Sequence, residues 1–189
     1  MKDLIQLISL GTLVIFTSCV PSINPIYTEK DLITDQAFIG TFTDPESSEK
    51  WQFTWVDNNE FKLLHTSEEG RTGAFTARFL KVGGRVFLDI VPKGGQENSN
   101  DFFKGHFFKT HTFIQIHQKG RSISISYLDP EWLNKKLAKE PRALGHLKLD
   151  GQLLLTDTTE NLQRFLAENV DTPGAFSEQI EMRRADPPN

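Results

Sequence analysis

Between residues 37 and 183 apolar and polar side chains alternate in short runs, each closed by a turn signal. This pattern commits most of the chain to half-buried antiparallel strands. Trp51, Phe53 and Trp55 share one face against Gln52 and Thr54. Phe75, Ala77 and Phe79 alternate with Thr76 and Arg78; Val86, Leu88 and Ile90 oppose Phe87, Asp89 and Val91. Thr112, Ile114 and Ile116 oppose His111, Phe113, Gln115 and His117, and Ile123, Ile125 and Tyr127 alternate with serines. Shorter strands are expected at 37–43, 60–66, 145–149 and 152–155. A last strand is expected at 175–183, with Phe176, Ile180 and Met182 on one face. Gly83-Gly84 and Asp150-Gly151 suit two-residue hairpin turns, because glycine accepts positive φ without steric cost.

Two helices interrupt this order. Asp129-Pro130 supplies an N-cap and a first-turn proline, Trp132, Leu133 and Leu137 form an apolar side, and Pro141 stops the helix. Asp157, with Glu160 three residues on, is expected to open the second helix, whose Leu162, Phe165 and Leu166 recur at helical spacing.

A meander of this kind leaves two raw edges unless it closes on itself. Pairing 37–43 with 175–183 would remove both edges. The expected fold is therefore mainly β with two short helices: an antiparallel, strongly curved sheet or small barrel. In architecture it resembles the lipocalin-like lipoproteins. A barrel of this type implies an interior that is filled by side chains or holds one small ligand.

The first residues are of another kind. Lys2 precedes a mostly apolar stretch from Leu4 to Phe16. Thirteen helical residues rise about 20 Å, short of a hydrocarbon core of about 30 Å, so the stretch reads as the apolar region of an export signal rather than a membrane span. It ends in Phe16-Thr17-Ser18-Cys19. This resembles the lipobox of bacterial lipoproteins, with Phe16 where leucine is usual. The resemblance implies cleavage before Cys19 and acylation of that residue, palmitate among the acyl groups. Position 20 is valine, not the aspartate that retains members of this family at the inner membrane. The implied address is thus the outer membrane, facing the periplasm or the cell surface. Cys19 is the single cysteine of the chain, so once lipidated it leaves no thiol for disulfides, zinc or nucleophilic catalysis. Val20 to Pro25 carries two prolines and is expected to form an extended tether. The organisation that follows is a signal peptide at 1–18, a lipidated N-terminus and tether at 19–35, one β-rich domain at 36–185, and a tail at 186–189.

A net charge of −4 with both signs scattered argues against nucleic acid as a partner, because phosphate backbones demand a basic surface. No G-x-S-x-G, H-E-x-x-H, G-x-G-x-x-G or phosphate-loop motif occurs. His111 and His117 share a strand face but stand about 20 Å apart, too far for one metal ion. No metal or cofactor is therefore expected. Asp89 is an acid inside an apolar strand and needs a partner, for which Arg78 on the preceding strand is placed. Asp89, His111 and His117 are the residues an enzymatic role would draw on, but the expected role is non-catalytic. The candidate ligand residues are Trp51, Phe53, Trp55, Phe75, Phe103 and Phe107, the last two in a phenylalanine-rich segment that reads as a lip over the barrel mouth. Their ligand would be an apolar small molecule or lipid. The alternative is an accessory subunit that docks on an envelope protein.

Overall fold

The computed structural model describes residues 19–94 and 108–185. Eleven strands are present among them: β1 (Leu32–Ile33), β2 (Gly40–Thr43), β3 (Lys50–Asp57), β4 (Glu60–Thr66), β5 (Thr72–Val82), β6 (Arg85–Pro92), β7 (Thr112–Lys119), β8 (Ser122–Tyr127), β9 (His146–Leu149), β10 (Gln152–Leu155) and β11 (Ile180–Arg184). Helix α1 spans Pro130–Lys139 and α2 spans Thr159–Asn169.

Strands β2 to β8 pair in sequence as an antiparallel meander, and β11 joins β8 to β2, closing an eight-stranded barrel. The expected closure of first strand on last is thus observed, through Arg183 opposite Thr43 and Arg184 opposite Phe42. Strand β1 adds to β5 at Phe79 and Leu80, just beyond the point where β4 ends its own pairing. The turns are as tight as their residues allow. Asn58 and Asn59 link β3 to β4 with φ of 40° and 64°, and Gly83-Gly84 link β5 to β6 with φ of 57° and 76°. At Gly83 a Cβ would stand 3.0 Å from the Ala167 backbone of α2, so the turn also lets the helix approach.

The last strand is shorter than its pattern suggested. Phe176 bridges to Leu128, and the Ser177 N–H donates to the Tyr127 carbonyl, but regular pairing begins only at Ile180. Phe176 therefore packs outside the barrel, its ring 6.0 Å from Phe87, while Met182 points in. Helix α2 also starts one residue later than expected. Thr158 is its N-cap, and Asp157 instead accepts from the Gly145 N–H, the Thr158 N–H and the Asn161 amide, stitching the β9–β10 hairpin to the helix start. Helix α1 is capped as expected, with Asp129 accepting from the Trp132 N–H at 2.6 Å.

Two apolar cores lie on opposite sides of the barrel wall. The inner one holds Phe42, Phe53, Phe61, Leu63, Phe79, Leu88, Ile114 and Ile123, among others. At one end it is plugged by Phe38 from a single 3-10 turn at Gln36–Phe38, whose ring stacks 4.0 Å from Phe79. The outer core sits where β5, β6 and β7 turn Leu80, Val82, Phe87 and Phe113 away from the barrel. The two helices and the β9–β10 hairpin cover it with Leu133, Leu137, Leu155, Leu162 and Leu166. A strand with apolar residues on both faces is thereby buried on both faces.

The stretch read from sequence as a tether is extended, but it is built into this second core. Val20 is 6% exposed and Ser22 and Ile26 are fully buried. Ser22 exchanges backbone hydrogen bonds with His111 in both directions, and the Pro21 carbonyl and Ile23 N–H bond to Leu155. The prolines are compatible with this because the strap uses only some of its N–H groups for pairing.

Candidate barrel-mouth site

The end of the barrel opposite the Phe38 plug is open as a cavity of about 330 Å³. Its wall is the upper ends of the inward rows: Trp51 of β3, Leu63 and His65 of β4, Phe75 of β5, Ile90 of β6, Thr112 and Ile114 of β7, and Tyr127 of β8. Glu49 and Cys19 complete the rim. The volume lies at the lower end of the range for small-molecule sites.

The polar part of the rim is organised by the β2–β3 loop. Asp44 accepts from the Glu46 N–H and the Ser47 hydroxyl, its own N–H donates to the Glu49 carbonyl, and Ser48 takes a left-handed φ of 61°. That turn delivers Glu49 beside Trp51 and His65, which face one another across the β3–β4 pair. Glu49 Oε1 accepts from the Trp51 indole N–H and lies 2.7 Å from His65 Nε2. The His65 hydrogen bond holds the Glu49 carboxyl below its usual range, and the indole bond adds to this. Burial pushes the Tyr127 phenol above its ordinary range, with the Glu49 charge acting in the same direction. A shallow apolar cup with a carboxylate, an imidazole and a neutral phenol at its lip can hold an amphiphile by its apolar end and orient its polar end.

The lowered Glu49 carboxyl implies a pH effect of definite sign. A group whose folded-state pKa lies below its unfolded value stabilises the fold above the unfolded carboxylate range, and that contribution is lost as pH falls through the folded value. Urea unfolding of wild type and Glu49→Gln between pH 6 and pH 3 should show this, to be read on a scale of about one unit per 1.36 kcal/mol. Wild type loses stability more steeply than the variant below the usual carboxylate range. Parallel curves would mean that the His65 contact does not persist in solution.

Of the ligand residues expected from sequence, Trp51 and Phe75 line the cavity. Phe53 is deeper, 1% exposed and packed against Phe42 and Phe79. Trp55 stands apart from the site: four residues along β3 carry it about 13 Å from Trp51, to the plugged end, where it is 50% exposed beside a register shift. Phe103 and Phe107, like the leader at 1–18 and the tail at 186–189, lie outside the described residues. Cys19 is exposed on the rim. Leu63, Ile90, Thr112, Ile114, Tyr127 and the Glu49–His65 pair were not expected at the site. The alternation marks most of them as inward, but nothing in it says which end of each row stays open.

Asp89 has a different partner from the expected Arg78. The two residues are cross-strand neighbours, yet the Arg78 guanidinium donates to the Tyr27 hydroxyl at 3.0 Å and to Glu60 at 2.7 Å. Asp89 instead lies 2.6 Å from His111 Nδ1, and its other oxygen accepts from the Ile26 N–H at 3.0 Å. Burial pushes its carboxyl up. Both groups point outward from the barrel toward the strap, away from the cavity. His117 lies further along the same face in a broad polar groove with Arg85, Gln115 and Asp171, where Arg85 and Asp171 already pair at 2.7 Å. The three residues an enzyme would draw on therefore do not converge in one cleft. Among the described residues no group of three or more His, Cys, Asp or Glu is arranged to hold a metal ion, and no helix is long and apolar enough to cross a membrane. Compared with protein-family models, curated proteins and solved structures, the chain matches none.

Proposed function

We propose that the protein is an exported lipoprotein, anchored through Cys19 at the cell envelope, whose barrel mouth binds an apolar small molecule or lipid without catalysing a reaction. The observation that carries the binding half is the cavity at the mouth, apolar in its walls and polar at one side of its lip. The packed plug beneath it limits the ligand to what a cup of about 330 Å³ admits, one chain or small ring system rather than a large lipid. The anchor half rests on the apolar leader, the Thr17-Ser18-Cys19 junction and the single cysteine.

Titration of the unacylated chain beginning at Cys19 with cis-parinaric acid tests the binding half. Trp51 in the wall serves as the energy-transfer donor. Thr112 points into the cup from β7, so Thr112→Trp should fill it and weaken the probe by at least roughly tenfold, about 1.4 kcal/mol. The thermal melt should stay cooperative. Equal affinity in both proteins would remove the cavity from consideration. The intact mass of protein extracted from membranes tests the anchor: the N-terminal residue is expected to be an acylated Cys19.

A second reading, docking on an envelope protein, has one observation in its favour. Leu147 and Leu149 lie on one face of β9 at the edge of the two-stranded hairpin, 52% and 54% exposed. An open strand edge with apolar side chains is a surface to which another chain can add.

A further inference from the structure

We propose that the open end of the barrel is the face that rests on the membrane, and that the occupant of its cavity is an acyl chain reaching in from a bilayer lipid. The inference rests on the anchoring of Cys19 put forward above and adds an orientation and a ligand source to it. Its basis is the absence of slack. A lipid anchor joined to its domain by a long linker leaves that domain free to take any attitude to the bilayer, because a chain of n residues reaches up to about 3.3–3.6 Å × n. Here the residue after Cys19 is already in the outer core, with Val20 only 6% exposed. The next residues are clamped from both sides, by His111 of the β7 entry and by Leu155 of β10. The Ile26 N–H is held by the buried Asp89 side chain. Cys19 itself lines the same cavity as Trp51, His65 and Tyr127.

Acyl chains on that residue would therefore enter the bilayer from the cavity's own rim, and the mouth would sit at headgroup level. Phe108, 88% exposed, stands four residues before β7 enters the barrel at this end and adds an apolar contact for the interface. At headgroup level the cavity offers Glu49, His65 and Tyr127 at the lip and apolar walls inside, the order in which an amphiphile presents its head and chain. A lipid chain that enters there exchanges one apolar surrounding for another and need not cross water.

The test uses the full acylated protein in phosphatidylcholine vesicles whose bulk lipid carries bromine on the acyl chain, a contact quencher. Trp55→Phe and Trp132→Phe leave Trp51 as the single reporter. A companion protein carries ten Gly/Ser residues inserted between Cys19 and Val20, an r.m.s. span of about 16–19 Å. The expected result is that both proteins float with the vesicles, that Trp51 loses most of its fluorescence in the uninserted protein, and that the insert restores it. Flotation with Trp51 unquenched overturns the proposal of a bulk-lipid chain in a membrane-facing cup while the anchor stands. That is also the outcome if the anchor's own unbrominated chain fills the cup. Quenching that survives the insert overturns it too, since contact would then not depend on the short attachment. Failure of the native protein to float removes the anchor and the inference together.

Discussion

Asp89→Ala is expected to destabilise the domain by about 2–4 kcal/mol, the cost of losing two hydrogen bonds, one of which leaves a buried donor unpaired. Asp89 is 2% exposed and serves two groups at once, His111 Nδ1 at 2.6 Å and the Ile26 N–H at 3.0 Å. Alanine removes the His111 partner and leaves the fully buried Ile26 N–H without an acceptor, beneath a strap whose Val20 packs in the outer core. An orphaned buried N–H carries a desolvation penalty of about 1–3 kcal/mol. The damage should also have a location. Ile26 and Ser22 flank the contact, so the strap at 20–27 should lose its hydrogen-exchange protection before the barrel does. Asp89→Asn keeps one acceptor oxygen and should cost less than alanine. Denaturant unfolding of the three proteins, with exchange read at Ser22 and Ile26, is the measurement. An alanine cost below about 1 kcal/mol, the worth of one ordinary hydrogen bond, would show that the pair does not hold the strap.

The barrel was legible because its strands are amphipathic in a simple way. The inward rows Phe75-Ala77-Phe79, Val86-Leu88-Ile90, Thr112-Ile114-Ile116 and Ile123-Ile125-Tyr127 are the rows that alternation marked. Closure followed from the need to remove two edges. What escaped was whatever depends on partners distant in sequence. Val20, Ser22 and Ile26 have no local pattern that separates them from a linker, because their partners His111, Leu155 and Asp89 lie more than sixty residues away. Arg78 was the nearest opposite charge to Asp89 by register. Tyr27 and Glu60 drew its guanidinium away, and no local rule ranks three such competitors. The site was half legible for the same reason. Trp51 and Trp55 belong to one alternating run, and only the register of β3 on β2 and β4 decides that the first stands at the open end and the second at the closed one.

Phe79→Ala addresses that closed end and carries the other large expected effect, about 3–5 kcal/mol. The Phe79 ring is fully buried, stacked on Phe38 at 4.0 Å and in contact with Phe53 and Phe61 at 5.3 and 5.1 Å. The cost depends on how far the surroundings can collapse into the void. Here they can do so little, since Phe79 lies on a strand bonded to β6 on one side and to β1 on the other within a closed ring. The upper part of the range is therefore expected, with Phe79→Leu milder and the half-exposed Trp55→Ala within about 0.5 kcal/mol of wild type. Equilibrium unfolding of the three variants makes the comparison. The result bears on function as much as on stability. The proposed ligand is small because the aromatic cluster of Phe38, Phe53, Phe61 and Phe79 fills the barrel below the cup. If Phe79→Ala cost less than about 1 kcal/mol, that cluster would be loosely packed, the cup would continue down the barrel, and a much longer chain than the one proposed would fit.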